Sequence, residues 1–282
     1  MQQLNTLSIL NLSVHRRTLQ LVRRVALKLV RTLVRLLARL HFSLPMTLEI
    51  DMKRMQGKGD GGGTFEREVN ASLKFLNQLG VSSPIVLDVG ANIGLYSESF
   101  LRSCPSAKIW AFEPSSTARA LLIERLSIFP QVSIIPLALG SESKVMTLYA
   151  DTPGSGLASL SKRRLDHFGI KLQHDEEVKV TTLDVWIQSN QVKPDFLKLD
   201  IEGFELFALQ GGLKELGSIK VIQFEFGGCN IDSRTFFQDF WYLLTGIGFI
   251  IYRISKSGPI EIKYYSEEDE YFSTTNFLAV KS

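Results

Sequence analysis

The sequence predicts an α/β fold: a mostly parallel sheet that ends in an antiparallel hairpin, with a basic amphipathic helix ahead of it. Three observations carry this. From residue 84 onward, short apolar runs alternate with helical patterns, the signature of a parallel sheet covered on both faces. The last two apolar runs, "FIIYRIS" and "TNFLAVK", follow one another without a helical crossover, so they pair antiparallel at one edge. Residues 1–48 hold eight Lys/Arg and no acid. Of the chain's 32 basic and 29 acidic residues this leaves 24 against 29, so a body at −5 follows an appendage at +8. The boundary is set at 1–48 for the appendage and 49–282 for the body.

The appendage contains "RRTLQLVRRVALKLVRTLVRLLARLHF", which reads as one helix of about seven turns. Arg24, Lys28, Arg31, Arg35 and Arg39 recur at 3/4 spacing along one face, and leucines and valines cover most of the rest. Charges interrupt every apolar run well short of the ~20 residues a membrane span needs. They also recur along its length, which excludes a secretory signal. Three readings stand: a helix packed on the body or on a second copy in a homo-oligomer, an interfacial helix laid on an anionic membrane through residues 14–41, or a mitochondrial presequence. "KGDGGGTFE" then reads as a linker or first loop, and Thr64 with Glu66 starts a helix running to Leu79.

In the body, "IVLDVG", "AKIWAFEP", "VSIIPLALG" and "FLKLDIEG" are the first four strands, separated by "GLYSESFLRSC", "STARALLIERLSIF" and an insertion. "KVIQFEFGG" is the fifth, followed by the helix "SRTFFQDFWYLLTGIG" and the terminal pair. The insertion, residues 141–182, holds "KVMTLYA" and "EEVKVTTLD" as two short strands around a Gly/Ser-rich loop. Such an excursion suits the rim of a cleft, because open α/β sheets bind ligands beyond the carboxyl ends of their strands.

Composition removes several function classes. At 45% hydrophobic and 22% charged residues, the chain has an ordinary globular make-up. Cys104 and Cys229 give neither a disulfide framework nor a metal spacing, which suits a reducing, cytoplasmic location. The Asn11 and Asn70 sequons are chance matches without a secretory signal. Basic charge confined to the appendage argues against nucleic acid as partner.

"LDVGANIGLYS" carries the informative chemistry. Gly90 and Gly94 allow a tight turn after the first strand, but their spacing is G-x-x-x-G and not the G-x-G-x-x-G of dinucleotide sites. Asp88 would repel a pyrophosphate and favour a cation. S-adenosyl-L-methionine carries an ammonium and a sulfonium and no phosphate. Glu113, at the end of "AFEP", stands where a carboxylate accepts from both ribose hydroxyls, although NAD sites place an acid there too. A structural reading, in which both acids merely cap the following helices, competes with this one.

These blocks resemble the FkbM family of S-adenosylmethionine-dependent methyltransferases: "VLDVGANIGLYS", "AFEPSSTARALL", "PLALG", "GLASL", "VTTLD" and "LKLDIEGFELFALQGG" occur in the family's order over roughly residues 84–228. The resemblance implies a class I methyltransferase (Rossmann-like) fold with a mostly parallel seven-stranded sheet. It also implies O-methylation of hydroxyls on sugars, glycans or secondary metabolites. Asp88, Gly90, Ala91, Asn92, Gly94 and Glu113 stand at the family's cofactor positions, and Ala138, beside Leu139, at the adenine position. "PLALG" offers no acid to the adenine amine.

In this topology the fourth strand lies beside the first. Lys198, Asp200 and Glu202 share its polar side by the period of two. Asp200 is the first candidate for general base and Glu202 the second, with Lys198 neutralising an acid deeper in the sheet. The competing reading is an internal Lys–carboxylate network that holds the sheet together. His167 and His174 lie in the insertion as solvated residues or as a cover for the acceptor, and Asp200, Glu225 and Asn230 form a loose oxygen set of the sort Mg²⁺ uses. The alternatives to a methyltransferase are an NAD-dependent oxidoreductase of related topology and a non-catalytic module that binds a membrane or partner.

Overall fold

The computed structural model describes residues 25–36 and 43–282, and contacts divide the chain into two units, Met1–Lys53 and Arg54–Ser282. Residues 25–36 are helical (α1), and α2 (Ser43–Met55) follows. The expected helical stretches 16–24 and 37–42 lie outside the described residues. Among the described residues no helix is long and apolar enough to cross a membrane.

The second unit opens with α3 (Phe65–Gln78), one residue after the anticipated Thr64 start. Then come β1 (Ile85–Val89), α4 (Leu95–Ser103), β2 (Lys108–Phe112), α5 (Ser116–Leu126), β3 (Val132–Ile135) and β4 (Ala138–Leu139). The insertion supplies β5 (Lys144–Ala150) and β6 (His174–Thr181), followed by α6 (Leu183–Asn190), β7 (Phe196–Leu199) and α7 (Glu205–Gln210). The chain finishes with β8 (Val221–Phe226), α8 (Cys229–Ser233), α9 (Phe237–Gly246), β9 (Phe249–Ser255), β10 (Gly258–Ile262) and β11 (Thr275–Lys281).

The main sheet runs β10-β9-β11-β8-β7-β1-β2-β3. The strands β3, β2, β1, β7 and β8 are parallel; β11 inserts antiparallel between β8 and β9. This is the class I methyltransferase order, and the two terminal strands expected to pair, β9 and β11, do so antiparallel, but the hairpin at the edge is β9 with β10. The sheet carries one strand beyond the seven expected, because β10 folds back on β9 before the chain returns. The run "VSIIPLALG" divides at Pro136, which lacks the N–H a ladder needs. Its first half is β3 of the main sheet, while β4 pairs with β6 in a second sheet of order β4-β6-β5.

Alternation in β1 sets both cores. Val86 faces a cluster with Val69, Phe100 and Leu122, whereas Leu87 and Val89 face Leu197, Phe224 and Phe240. The second cluster is dense in aromatics: Phe224 stacks on Phe240 with centroids 4.8 Å apart. Each fully buried phenylalanine there contributes on the order of 1.5–3 kcal/mol. Asp88, on the Val86 face, is the register partner of Lys198 in β7, and Lys198 is the partner of Gln223 in β8. A polar row therefore crosses the centre of the sheet.

Candidate active site

That row explains the charged strand. Lys198 Nζ lies 3.3 Å from Asp88 Oδ1 and 3.3 Å from Asp200 Oδ2, and sits over the Tyr96 ring at 4.8 Å. Burial alone would lower the ammonium's pKa, but Asp88, Asp200 and Glu68 together outweigh it and hold Lys198 above its usual value. Beside it Gln223 accepts from Tyr96 (2.8 Å) and Ser72 (3.1 Å) and donates to Glu68 (2.7 Å). Asp88 Oδ1 has no hydrogen-bond partner and is answered only by the Lys198 charge, so both functional and structural readings of the strand describe it: Lys198 and Asp88 brace the sheet while Asp200, its side chain 34% exposed, reaches the opening.

Asp88 lies beneath the cavity and not on its wall. It is fully buried, accepts from Ser97 Oγ at 2.6 Å, and does not line the cavity above. Its charge acts on the site through Lys198. The glycines of the first loop likewise answer to the protein itself. A Cβ on Gly90 (φ +82°) would stand 1.8 Å from the Asp200 carbonyl oxygen, and one on Gly94 (φ +87°) 2.7 Å from Leu122. Both positions require left-handed backbone and a close neighbour, which only glycine supplies. Asn92 also has positive φ (47°), a conformation asparagine tolerates.

Above the strand ends a cavity of about 520 Å³ opens. One end is lined by Gly90, Ala91, Asn92, Glu113, Ala138 and Leu139; Gly94 sits just beneath, packed on α5. Glu113 is 6% exposed and accepts from the backbone N–H groups of Asn92 and Ser115, each at 2.8 Å. Burial pushes its pKa up to about 7 despite those two donors. Each carboxylate oxygen accepts one N–H and so keeps lone-pair capacity for a further donor. Next to it Leu137, Ala138 and Leu139 form an apolar shelf.

The other end is acidic. Asp200, Glu202, Glu225 and Glu68 line it with Lys198, Arg163 and Cys229. Glu202 takes up positive φ (53°) ahead of Gly203 (φ 99°), and Glu205 closes this turn by accepting from Ile201 N (2.8 Å) and Gly203 N (3.2 Å). Glu205 is therefore a structural acid, with burial raising it to about 8. Burial and the Asp200 charge push Glu202 to about 7 although Arg163 is paired with it. The Glu225 side chain makes no hydrogen bond or ion pair among the described residues, and burial, then Asp200, Glu202 and Glu205, raise it well above its ordinary value. Burial also pushes the Cys229 thiol up, so no thiolate nucleophile is at hand.

The insertion roofs both ends. Asn92 Nδ2 donates to Ser155 O (3.4 Å), Ser159 Oγ donates to Glu202 O (2.8 Å), and Arg163 bridges Glu202 and Asp232. His167 is exposed and packs, tilted, against Phe168, which lines the cavity; neither His167 nor His174 does. Asn230 is spent on Gly227 N, the Cys229 thiol and Thr235, which takes it out of the oxygen set suggested by the sequence. No group of three or more metal-ligating side chains occurs among the described residues.

Sequence reasoning overlooked Glu68, Arg163, Phe272 and Asn276, all of which line the cavity. Glu68 carried a signal, being an acid on the Phe65–Val69–Ser72–Leu76 face of an amphipathic helix. Arg163 carried none, since its partners lie 39 and 69 residues away.

The strand order and the cavity at the carboxyl ends of the parallel strands define a class I methyltransferase fold. The chain belongs to the methyltransferase FkbM domain family, which matches residues 88–251. Among curated proteins it resembles methyltransferase sdnD of Sordaria araneosa, 32% identical over 157 residues, or 46% of this chain and 61% of that protein. It also resembles the 2-O-methyltransferase NoeI of Sinorhizobium fredii, 23% identical over 57% of this chain and 72% of that one. The chain thus spans less than two thirds of the Sordaria protein's length. Of solved structures, methyltransferase FkbM from Methylobacillus flagellatus KT matches with a TM-score of 0.42 at 17% identity, over 70% of this chain and 44% of that one.

Proposed function

We propose that this chain is an S-adenosyl-L-methionine-dependent O-methyltransferase acting on a hydroxyl of a sugar, glycan or secondary metabolite. One observation carries the reading: a single cavity joins the Glu113 carboxylate and its apolar shelf to the acids at the end of β7. Glu113, already oriented by two N–H donors, has the acceptor capacity to hold a ribose diol. Ala138 with Leu137 and Leu139 suits an adenine face, and Gly90, Ala91, Asn92 and Gly94 shape the loop beneath. Bound there, the cofactor would supply an electrophilic methyl group on a sulfonium.

The remaining work belongs to the chain. Asp200, its side chain 34% exposed and fixed by Lys198 at 3.3 Å, takes the acceptor hydroxyl's proton as charge builds on oxygen. Glu202, raised to about 7, is the second candidate, but its pairing with Arg163 favours a role in holding the insertion over the acceptor. The family match supports methyl transfer, and the relative NoeI, a 2-O-methyltransferase by name, supports oxygen as the acceptor atom. The test is a screen of hydroxylated metabolites and glycans with labelled methyl donor, alongside calorimetry with S-adenosylhomocysteine and NADH. We expect binding of the former alone, and Asp200→Asn should keep that affinity while losing turnover. Unchanged turnover would remove Asp200 as base; NADH binding in place of S-adenosylhomocysteine would overturn the whole reading.

A further inference from the structure

The appendage carries a wide apolar surface of its own. In α1 six large apolar side chains, Val25, Leu27, Leu29, Val30, Leu33 and Leu36, are each more than half exposed, at 51–66%. At 100° per residue they spread over an arc of about 200°, while Lys28, Arg31 and Arg35 fall within about 60° on the opposite side. Thr32 lies at the border and donates its hydroxyl back to the Lys28 carbonyl at 2.9 Å. So wide an apolar arc in water is unfavourable and needs a cover.

We propose that this helix docks on an anionic lipid bilayer, lying in the interface with its apolar arc in the acyl boundary. Charge complementarity selects this occupant. The first 48 residues carry eight Lys/Arg and no acid, so two copies laid side by side would set like charges against each other without a single opposite partner. The arc is also far wider than the two-in-seven seam of a helix pair. A nucleic acid would meet the basic arc but leave the leucines uncovered. An anionic bilayer accommodates both faces, apolar side inward and guanidinium groups at the phosphates. Among the described residues no helix is long and apolar enough to cross.

The test is co-flotation of the full chain with vesicles of phosphatidylcholine alone and of phosphatidylcholine mixed with phosphatidylglycerol. Each basic residue near an anionic surface strengthens binding about fivefold, so Lys28, Arg31 and Arg35 together should give a preference on the order of a hundredfold for the mixed vesicles. The triple variant Lys28→Glu/Arg31→Glu/Arg35→Glu and the double variant Leu29→Asp/Leu33→Asp should both stay in the dense fraction, with the thermal midpoint of the body unchanged. Three outcomes would overturn the proposal. These are a wild-type chain that fails to float, a leucine variant that floats as well as wild type, and sedimentation showing a wild-type dimer that the leucine variant converts to monomer.

Discussion

Replacing Lys198 by Met tests the centre of the site. Its side chain is 3% exposed, and the ammonium stands 3.3 Å from the carboxylate of Asp88, whose side chain is 0% exposed. Removing one partner of such a pair leaves an uncompensated buried charge, at about 3–5 kcal/mol. Asp200, the other partner, has 34% of its side chain exposed and turns to water instead. For a body of this size each kcal/mol lowers Tm by roughly 2–4 °C, so the variant should melt about 6–20 °C below wild type. Asp88→Asn should cost less, because Lys198 keeps Asp200 at the same distance. The double variant should be more stable than the sum of the two losses implies, by on the order of 2 kcal/mol, since it leaves no lone charge in the sheet. Urea unfolding followed by circular dichroism measures all three. Additive losses, or a Lys198→Met cost below about 1 kcal/mol, would refute the pairing as the reason a lysine occupies this strand.

Glu113 gives a pH dependence. Its folded pKa of about 7 lies above the ordinary 4.5, so the folded state holds the proton more tightly. Its contribution to stability is therefore full below 4.5 and is lost as pH rises to about 7, by up to ~3 kcal/mol at 1.36 kcal/mol per pH unit. Glu113→Gln should flatten that part of the urea-midpoint profile and weaken S-adenosylhomocysteine binding; an unaltered profile would refute the assignment. Two glycines lining the same cavity make a controlled pair. Gly90→Ala, whose Cβ would overlap the Asp200 carbonyl, should cost about 2–5 kcal/mol by urea unfolding, while Gly62→Ala, which meets nothing within 4 Å, should stay within about 0.5 kcal/mol.

Periodicity made the sheet legible, because alternation in "IVLDVG" and "FLKLDIEG" reports which side chains face a helix layer and which strands end at the cleft. It also placed Glu113, Asp200 and Glu202 on one opening. What it did not reveal was register. Whether Asp88 points at a ligand or at a lysine depends on how two strands 110 residues apart align, and the answer came out as Lys198. The same limit hid Arg163, whose partners are fixed by the path of the insertion. Pro136 was a visible signal: a proline inside "VSIIPLALG" argues against one continuous strand.

The row Asp88–Lys198–Gln223 is also an alignment key. Sliding β7 by one residue against β1 would turn the ammonium toward Leu87 and Val89 and their hydrocarbon neighbours, where nothing could answer its charge. Parallel strands joined across a long insertion have few other marks by which to find their place. In this protein the groups that hold the reactive opening in shape also tell the sheet how to assemble, so substitutions that retune one are felt by the other.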